Sequence, residues 1–434
     1  MTTSTAPSSP SAQDWYRSAV SGMASYLDSA ATVSTGIALV LYKKAFGFNG
    51  WHLGILSSIL TFGVATGALI GGRLGDRFGR KRVFSVTMVL LAIGALILCL
   101  APNVATLYIG IPILGFAIGA DLPVSLALIA EEAPEGSRGK LLGLSEVLWY
   151  VGILASQAAG LLFGGMGSTG ARIIYAHIAI ISIVVMVLRT RIPESRRWQE
   201  QFVAHKVLNG GSRGNGALAL RQLVARPYLL PFLGLAMFYL LTNVAANTKG
   251  QFGTYMYVDV ADSSVRVASA VGMACQVVGI VAGFYFMRIV DGPLRLRWYL
   301  IGSVCFMAYY GVPAIFGVSV LTLALGNLIG AIGIAFAFEG IYKVWVQEKF
   351  PTLLRSTAQG ATFGIARIAA GIVAIWTPAL LAGGPQVFFA TLAGMVLIAS
   401  VIGLFVNRTP DAVDPEISDG SRGTIPPADQ MLAN

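Results

Sequence analysis

Twelve stretches of roughly 20 apolar residues recur along this chain, and no other feature limits its fold as much. Each can cross the ~30 Å of hydrocarbon in a bilayer as a helix, which pairs its backbone N–H and C=O groups within the segment. The stretches fall at 18–42, 52–72, 83–101, 106–130, 140–164 and 171–189, then at 227–257, 266–287, 298–318, 320–346, 356–382 and 386–406. They predict an all-α membrane protein of twelve transmembrane helices, six and six. Charged residues make up only 12% of the 434, against about 25% in a soluble domain, so the polar surface for a water-exposed core is missing. That argues against a soluble enzyme, a disordered chain, a disulfide scaffold and a fibrous repeat. Cys99, Cys275 and Cys305 sit far apart inside apolar runs and read as small buried hydrophobes. The three histidines are equally scattered, so neither a metal site nor a cofactor is expected.

The segments divide into a polar tail at 1–17, a first bundle at 18–189, a linker at 190–226, a second bundle at 227–406 and a disordered tail at 407–434. Residues 1–17 lack a basic stretch leading to a cleavage site, so no removable signal peptide is expected. The linker is rich in arginine and in breakers, with Gly, Ser and Asn at 209–216. The net charge of +10 is distributed very unevenly. Arg73 to Arg82, Arg138, Lys140, the linker, Arg288 to Arg297, Lys349, Arg355 and Arg408 fall on the side of the termini. Only Lys43, Lys44, Arg172 and Arg266 fall on the other. The excess of Lys and Arg marks the cytoplasmic side, so both termini are expected there, in a multi-pass plasma-membrane protein. The basic charge therefore reflects topology and the bilayer as partner, with no nucleic acid implied.

The loops between spans carry a repeat. Gly71 to Arg82 reads GGRLGDRFGRKR, and Met287 to Arg297 reads MRIVDGPLRLR. At a shift of 215, Arg73, Asp76, Arg80 and Arg82 fall on Arg288, Asp291, Arg295 and Arg297. After span 4, Glu131, Pro134, Arg138 and Gly143 fall on Glu348, Pro351, Arg355 and Gly360 at a shift of 217. Shared basic character would explain the arginines but not the common spacing, which points to duplication of a six-helix unit. Two such halves around a midplane site are the architecture of an alternating-access transporter.

The same residues resemble a known family. The loop Gly71 to Arg82 is similar to the signature loop of the major facilitator superfamily. EAPEGSRG (Glu132 to Gly139) and PESRRW (Pro193 to Trp198) resemble the loops after spans 4 and 6 in its sugar-porter branch. The resemblance implies two pseudo-symmetric six-helix bundles and secondary transport. It departs at two places: Glu146 stands where sugar porters put a glutamine on span 5, and NVAANTKGQF (Asn243 to Phe252) replaces their double glutamine on span 7. A carboxylate such as Asp76 at the end of span 2 can accept backbone N–H groups at a neighbouring helix N-terminus. The resemblance implies that this partner is span 11, near Ser356, and that the contact locks the cytoplasmic gate. The expected gate comprises Gly72, Asp76, Arg77, Arg80 and Arg138, with Asp291, Glu348 and Arg355 in the second half. Gly63, Gly67 and Gly71 on span 2, and Gly360 and Gly364 on span 11, form small faces for close packing.

Seven charges lie within the spans: Asp28, Asp121, Glu146, Lys249, Glu339, Lys343 and Arg367. Each costs at least ~2.5–3.5 kcal/mol at the centre of a lone helix, so each should face a cavity or a partner. A carboxylate taken out of water holds a proton more readily, and the resemblance implies that role for Asp28 on span 1. The alternative is a structural hydrogen bond. Asp121, in GADLPVS, resembles the span 4 pattern of proton symporters of phosphate and organic metabolites; it is a second proton site or a partner of Arg138 or Arg367. Glu146 either pairs with Arg367 or meets substrate. Glu339 and Lys343 are one turn apart and can pair. Lys249 and Arg367 are candidates for an anionic group, while Asn243, Asn247 and Gln251 offer donors and acceptors to hydroxyls. Trp149, Tyr255, Tyr257 and Trp345 either supply apolar walls or sit at the lipid interface, the interface being the preferred reading.

The leading expectation is proton-coupled import of a small polar metabolite (a sugar, polyol or organic acid) by a monomer. A proton-coupled exporter of drugs or metabolites fits the loops less well, and a non-transporting nutrient sensor would need a longer tail. Phosphate-binding loops and zinc motifs are absent from the sequence, so an ion gradient rather than ATP is the expected energy source.

Overall fold

The computed structural model describes residues 10–134, 138–194, 223–290, 292–350 and 352–411; at Arg73, Asp76, Arg77, Arg138 and Arg355 it describes the backbone alone. The first half comprises α1 (Ala12–Phe46), α2 (Gly50–Phe78), α3 (Arg80–Cys99), α4 (Val104–Glu132), α5 (Arg138–Phe163) and α6 (Ser168–Arg189). The second comprises α7 (Leu229–Tyr255), α8 (Val265–Ile289), α9 (Arg295–Phe316), α10 (Val320–Ala337), α11 (Glu339–Lys349), α12 (Thr352–Gly383) and α13 (Pro385–Arg408). Twelve segments are long and apolar enough to cross a membrane, with α10 and α11 forming one of them. An even number of crossings leaves α1 and α13 with their outer ends on one face, referred to below as the terminal face. Most of the linker and of the C-terminal tail lies outside the described residues.

Two elements differ from the spans expected. The first helix begins at Ala12 because Ser11 caps it: its hydroxyl accepts from the Asp14 N–H, and the Asp14 carboxylate accepts from the Ser11 N–H at 2.9 Å. It ends only at Gly47, whose φ of 67° lies in the left-handed region that glycine adopts at little cost. Span 10 is broken at Phe338, so Glu339 opens a new helix rather than continuing the old one. The Phe338 ring stacks against Tyr239 at 5.9 Å. Hydropathy alone runs through this break without a sign of it.

The small face of α2 packs on α4. A Cβ on Gly67 would lie 2.2 Å from the Phe116 carbonyl oxygen, one on Gly71 2.4 Å from the Ala120 backbone, and one on Gly119 2.0 Å from the Val64 carbonyl oxygen. Backbone meets backbone here, the device by which membrane helices gain contact without a hydrophobic driving force. Gly119→Ala is therefore expected to cost about 1–3 kcal/mol through overpacking. Thermal unfolding of the purified protein should show a lower Tm than the wild type.

Gly360 and Gly364 behave differently: nothing lies within 4 Å of a Cβ at either. Instead α12 meets α2 at the other end, where Gly54 lies under the Ile375 carbonyl and Trp51 meets Trp376 edge to face at 5.5 Å. Both contacts join the two halves at the face opposite the termini.

Candidate functional site

A cavity of about 170 Å³ lies between the halves. That is room for on the order of ten waters, and so for a small ligand. The first half contributes Asp28, Ser29 and Thr32 from α1 with Trp149, Tyr150, Ile153 and Gln157 from α5. The last four recur at roughly one-turn intervals, so a single face of α5 forms that wall. From the second half come Asn243, Asn247, Lys249, Gly250 and Gly253 on α7, Cys275 and Gln276 on α8, Tyr309 on α9, Asn327 on α10 and Arg367 on α12. Phe338 and Glu339 reach the cavity at the break in span 10.

Four carboxylate or amide oxygens of lining residues are buried without a hydrogen-bond partner among the described residues. The Trp149 indole donates to Asp28 Oδ2 at 3.3 Å, which leaves Oδ1 unpaired. Asn243 donates through Nδ2 to the Tyr239 hydroxyl at 3.3 Å, and its Oδ1 is unpaired. Gln157 Oε1 and Asn327 Oδ1 are the other two. A buried polar group without a partner costs about 1–3 kcal/mol, so the arrangement asks for a ligand or water that donates hydrogen bonds.

Of the residues singled out in the sequence, Asp28, Asn243, Asn247, Lys249 and Arg367 line the cavity. Three others lie outside its lining. Gln251 turns toward the first half, donating to Thr61 Oγ1 at 2.6 Å and to Asn247 Oδ1 at 3.1 Å, and so joins α7 to α2. Glu146 is half exposed and pairs with Lys343 of the other half, not with Arg367. Lys343 also holds Glu339 at 3.0 Å. Asp121 does not pair with Arg367, and the side chain of Arg138 lies outside the described residues. Asp121 is buried with Arg189, whose two terminal nitrogens reach its carboxylate oxygens at 2.5 and 3.0 Å. Arg189 is the last residue of α6, at the edge of the basic linker, where its sequence gives no sign of this pairing. The aromatic residues are also corrected: Trp149 and Tyr257 line the cavity, and Tyr255 and Trp345 are buried inside the protein rather than set at the lipid interface. Gln157, Gln276 and Asn327 were missed altogether, because a scan for charges passes over amides.

The Major Facilitator Superfamily model matches residues 19–375. The chain belongs to the major facilitator superfamily. Within that superfamily it is 30% identical, over 89% of each chain, to a protein of Bacillus subtilis named the minor myo-inositol transporter IolF. The arabinose-proton symporter of the same organism is 30% identical over 37% of this chain and 36% of its own. The crystal structure of a D-xylose-proton symporter superimposes with a TM-score of 0.73 at 18% identity, covering 91% of this chain and 97% of that one, which shows the shared fold. This member is accordingly a membrane transporter, not an enzyme.

The superfamily's loop signatures now have geometry. Arg80 at the start of α3 donates to Glu131 near the end of α4 at 2.8 Å, and Arg295 at the start of α9 donates to Glu348 near the end of α11. These are the residues that the two loop repeats superimpose, so the duplicated sequence builds the same ion pair twice. Gly72 faces open space. The side chains of Asp76, Arg77, Arg138 and Arg355, and all of Asp291, lie outside the described residues, so the proposed gate contact of Asp76 is not seen here. Along α5 and α8 the halves stay in contact, most tightly at the face opposite the termini, and the Glu146–Lys343 ion pair joins them toward the terminal face. A Cβ on Gly160 would lie 2.3 Å from Ser269 and one on Gly272 2.7 Å from Gln157, but Gly283 stands 3.6 Å from Tyr150 and Gly143 3.9 Å from Met287. At the opposite face the halves are tied by the Lys43–Asp259 ion pair and by Gly36 of α1 under the Gln251 carbonyl.

Proposed function

We propose that this transporter couples import of a polyhydroxylated metabolite to a proton by alternating access, with the terminal face in the cytoplasm of the cell. The observation that carries the reading is the set of unpaired acceptors, Asp28 Oδ1, Gln157 Oε1, Asn243 Oδ1 and Asn327 Oδ1, around one cavity between the halves. Hydroxyl groups are donors as well as acceptors and serve such a set, whereas an apolar drug would leave it desolvated and unpaired. Asp28 is the proton site. It is a carboxylate in the cavity wall, held on one oxygen by Trp149 and open on the other, so substrate and proton meet at the same group. Asn243, Asn247 and Gln157 take the hydroxyls. Ion pairs join the halves on both sides of the cavity, Lys43 with Asp259 at the outer side and Glu146 with Lys343 toward the terminal face.

The test is uptake by reconstituted vesicles under an imposed inward proton gradient, with labelled myo-inositol and D-xylose as probes. Accumulation of either probe is expected, with loss on adding a protonophore. Accumulation that follows a sodium gradient instead, or uptake that never exceeds equilibration, would overturn the coupling.

A further inference from the structure

Lys249 is the one lining charge this reading leaves without a task. The other three are answered: Asp28 and Arg367 feel each other's charge across the cavity, and Glu339 is bonded to Lys343 at 3.0 Å. Among the described residues Lys249 has no carboxylate partner and no hydrogen bond. Its ammonium lies 5.0 Å above the Tyr309 ring, which holds the group in place without neutralising it. The Cys275 thiol, also in the lining, is close enough to interact with it electrostatically. The wall beside it is open, because Gly250 and Gly253 both line the cavity and nothing lies within 4 Å of a Cβ at either. An unpaired ammonium within a span is expensive, at least ~2.5–3.5 kcal/mol near the centre of a helix, and an anionic ligand group would offset that cost.

We propose that Lys249 receives a carboxylate and that the substrate is a sugar acid, whose hydroxyls meet Asp28 and Gln157 at the other wall and Asn243 further along α7. This rests on the polyhydroxylated ligand inferred above and narrows it. The ammonium offers three donors to the carboxylate oxygens, and the pair is shielded from bulk water by Tyr309 and Tyr257. Entry of one sugar-acid anion with one proton on Asp28 also moves no net charge, so the membrane potential adds nothing to its accumulation.

Counterflow in vesicles containing the full-length protein tests this, with D-glucuronate, D-galacturonate, the methyl ester of D-glucuronate and D-glucose as competing probes. The wild type should prefer a free acid over its neutral counterparts by about tenfold or more, the usual worth of a charge-assisted hydrogen bond. Lys249→Met should collapse that preference, and Lys249→Arg should retain most of it. Equal competition by the ester, glucose and the acids would overturn the carboxylate site while leaving the hydroxyl-binding reading in place. Failure of all four probes to compete would overturn both. Should Lys249→Met not fold, the ester-to-acid comparison in the wild type decides alone.

Discussion

Asp28→Asn is expected to abolish uphill accumulation while sparing counterflow. For each proton carried, one unit of imposed pH gradient is worth 1.36 kcal/mol and sustains up to about tenfold accumulation. A group that never changes its proton occupancy cannot draw on that gradient, so the ratio inside to outside should fall to unity. Asparagine is nearly isosteric and keeps an oxygen that can accept the Trp149 indole N–H, now at 3.3 Å. The wall of the cavity is thereby preserved, and exchange of labelled for unlabelled substrate, which needs no net proton movement, should continue. Measuring both in the same vesicle preparation separates loss of coupling from loss of binding. A variant that still concentrates substrate against its gradient would remove Asp28 from the proton path.

The fold was legible in the sequence because a bilayer leaves few alternatives. A run of apolar residues long enough to span hydrocarbon has to be a helix, and the paired loops disclosed the duplication before any geometry was known. The structure then put Arg80 on Glu131 and Arg295 on Glu348, an ion pair that follows directly from the aligned loops. The site was only half legible. Asp28 and Arg367 stood out because a charge inside a span is costly enough to need a reason. Gln157 and Asn327 did not, since an uncharged amide carries a smaller penalty and hydropathy averages it away. Gln157 lies eight residues beyond Trp149, two turns along the same face of α5, so a search for polar residues at helical spacing would have found it. The break at Phe338 escaped because hydropathy averaged over a whole span passes over Glu339 and Gly340, the charge and the glycine that follow it.

The pairing of Asp121 with Arg189 was hidden too, because one partner lies mid-helix and the other 68 residues away at the end of α6. Both side chains are only 2% exposed. Around them the Thr87 hydroxyl donates to Asp121 at 3.0 Å, and the Arg189 guanidinium donates to the Ser125 hydroxyl at 3.0 Å and the Ser21 carbonyl at 3.2 Å while lying over the Phe84 ring. The cluster therefore ties α1, α3, α4 and α6 together beneath the cavity, whose lining it does not join. Removing one partner leaves a buried charge unanswered, a loss of about 3–5 kcal/mol, whereas removing both leaves none. Arg189→Met and Asp121→Leu alone are thus expected to yield little folded protein. The double variant Asp121→Leu with Arg189→Met should recover much of the wild-type melting temperature. Its transport discriminates between two roles for Asp121. A structural tie predicts that the double variant still accumulates substrate under a proton gradient, since Asp28 is intact. A second proton site predicts a folded protein that exchanges substrate and cannot concentrate it. The burial of the pair, the hydrogen bonds from Thr87 and to Ser125 and Ser21, and its absence from the cavity wall favour the structural tie.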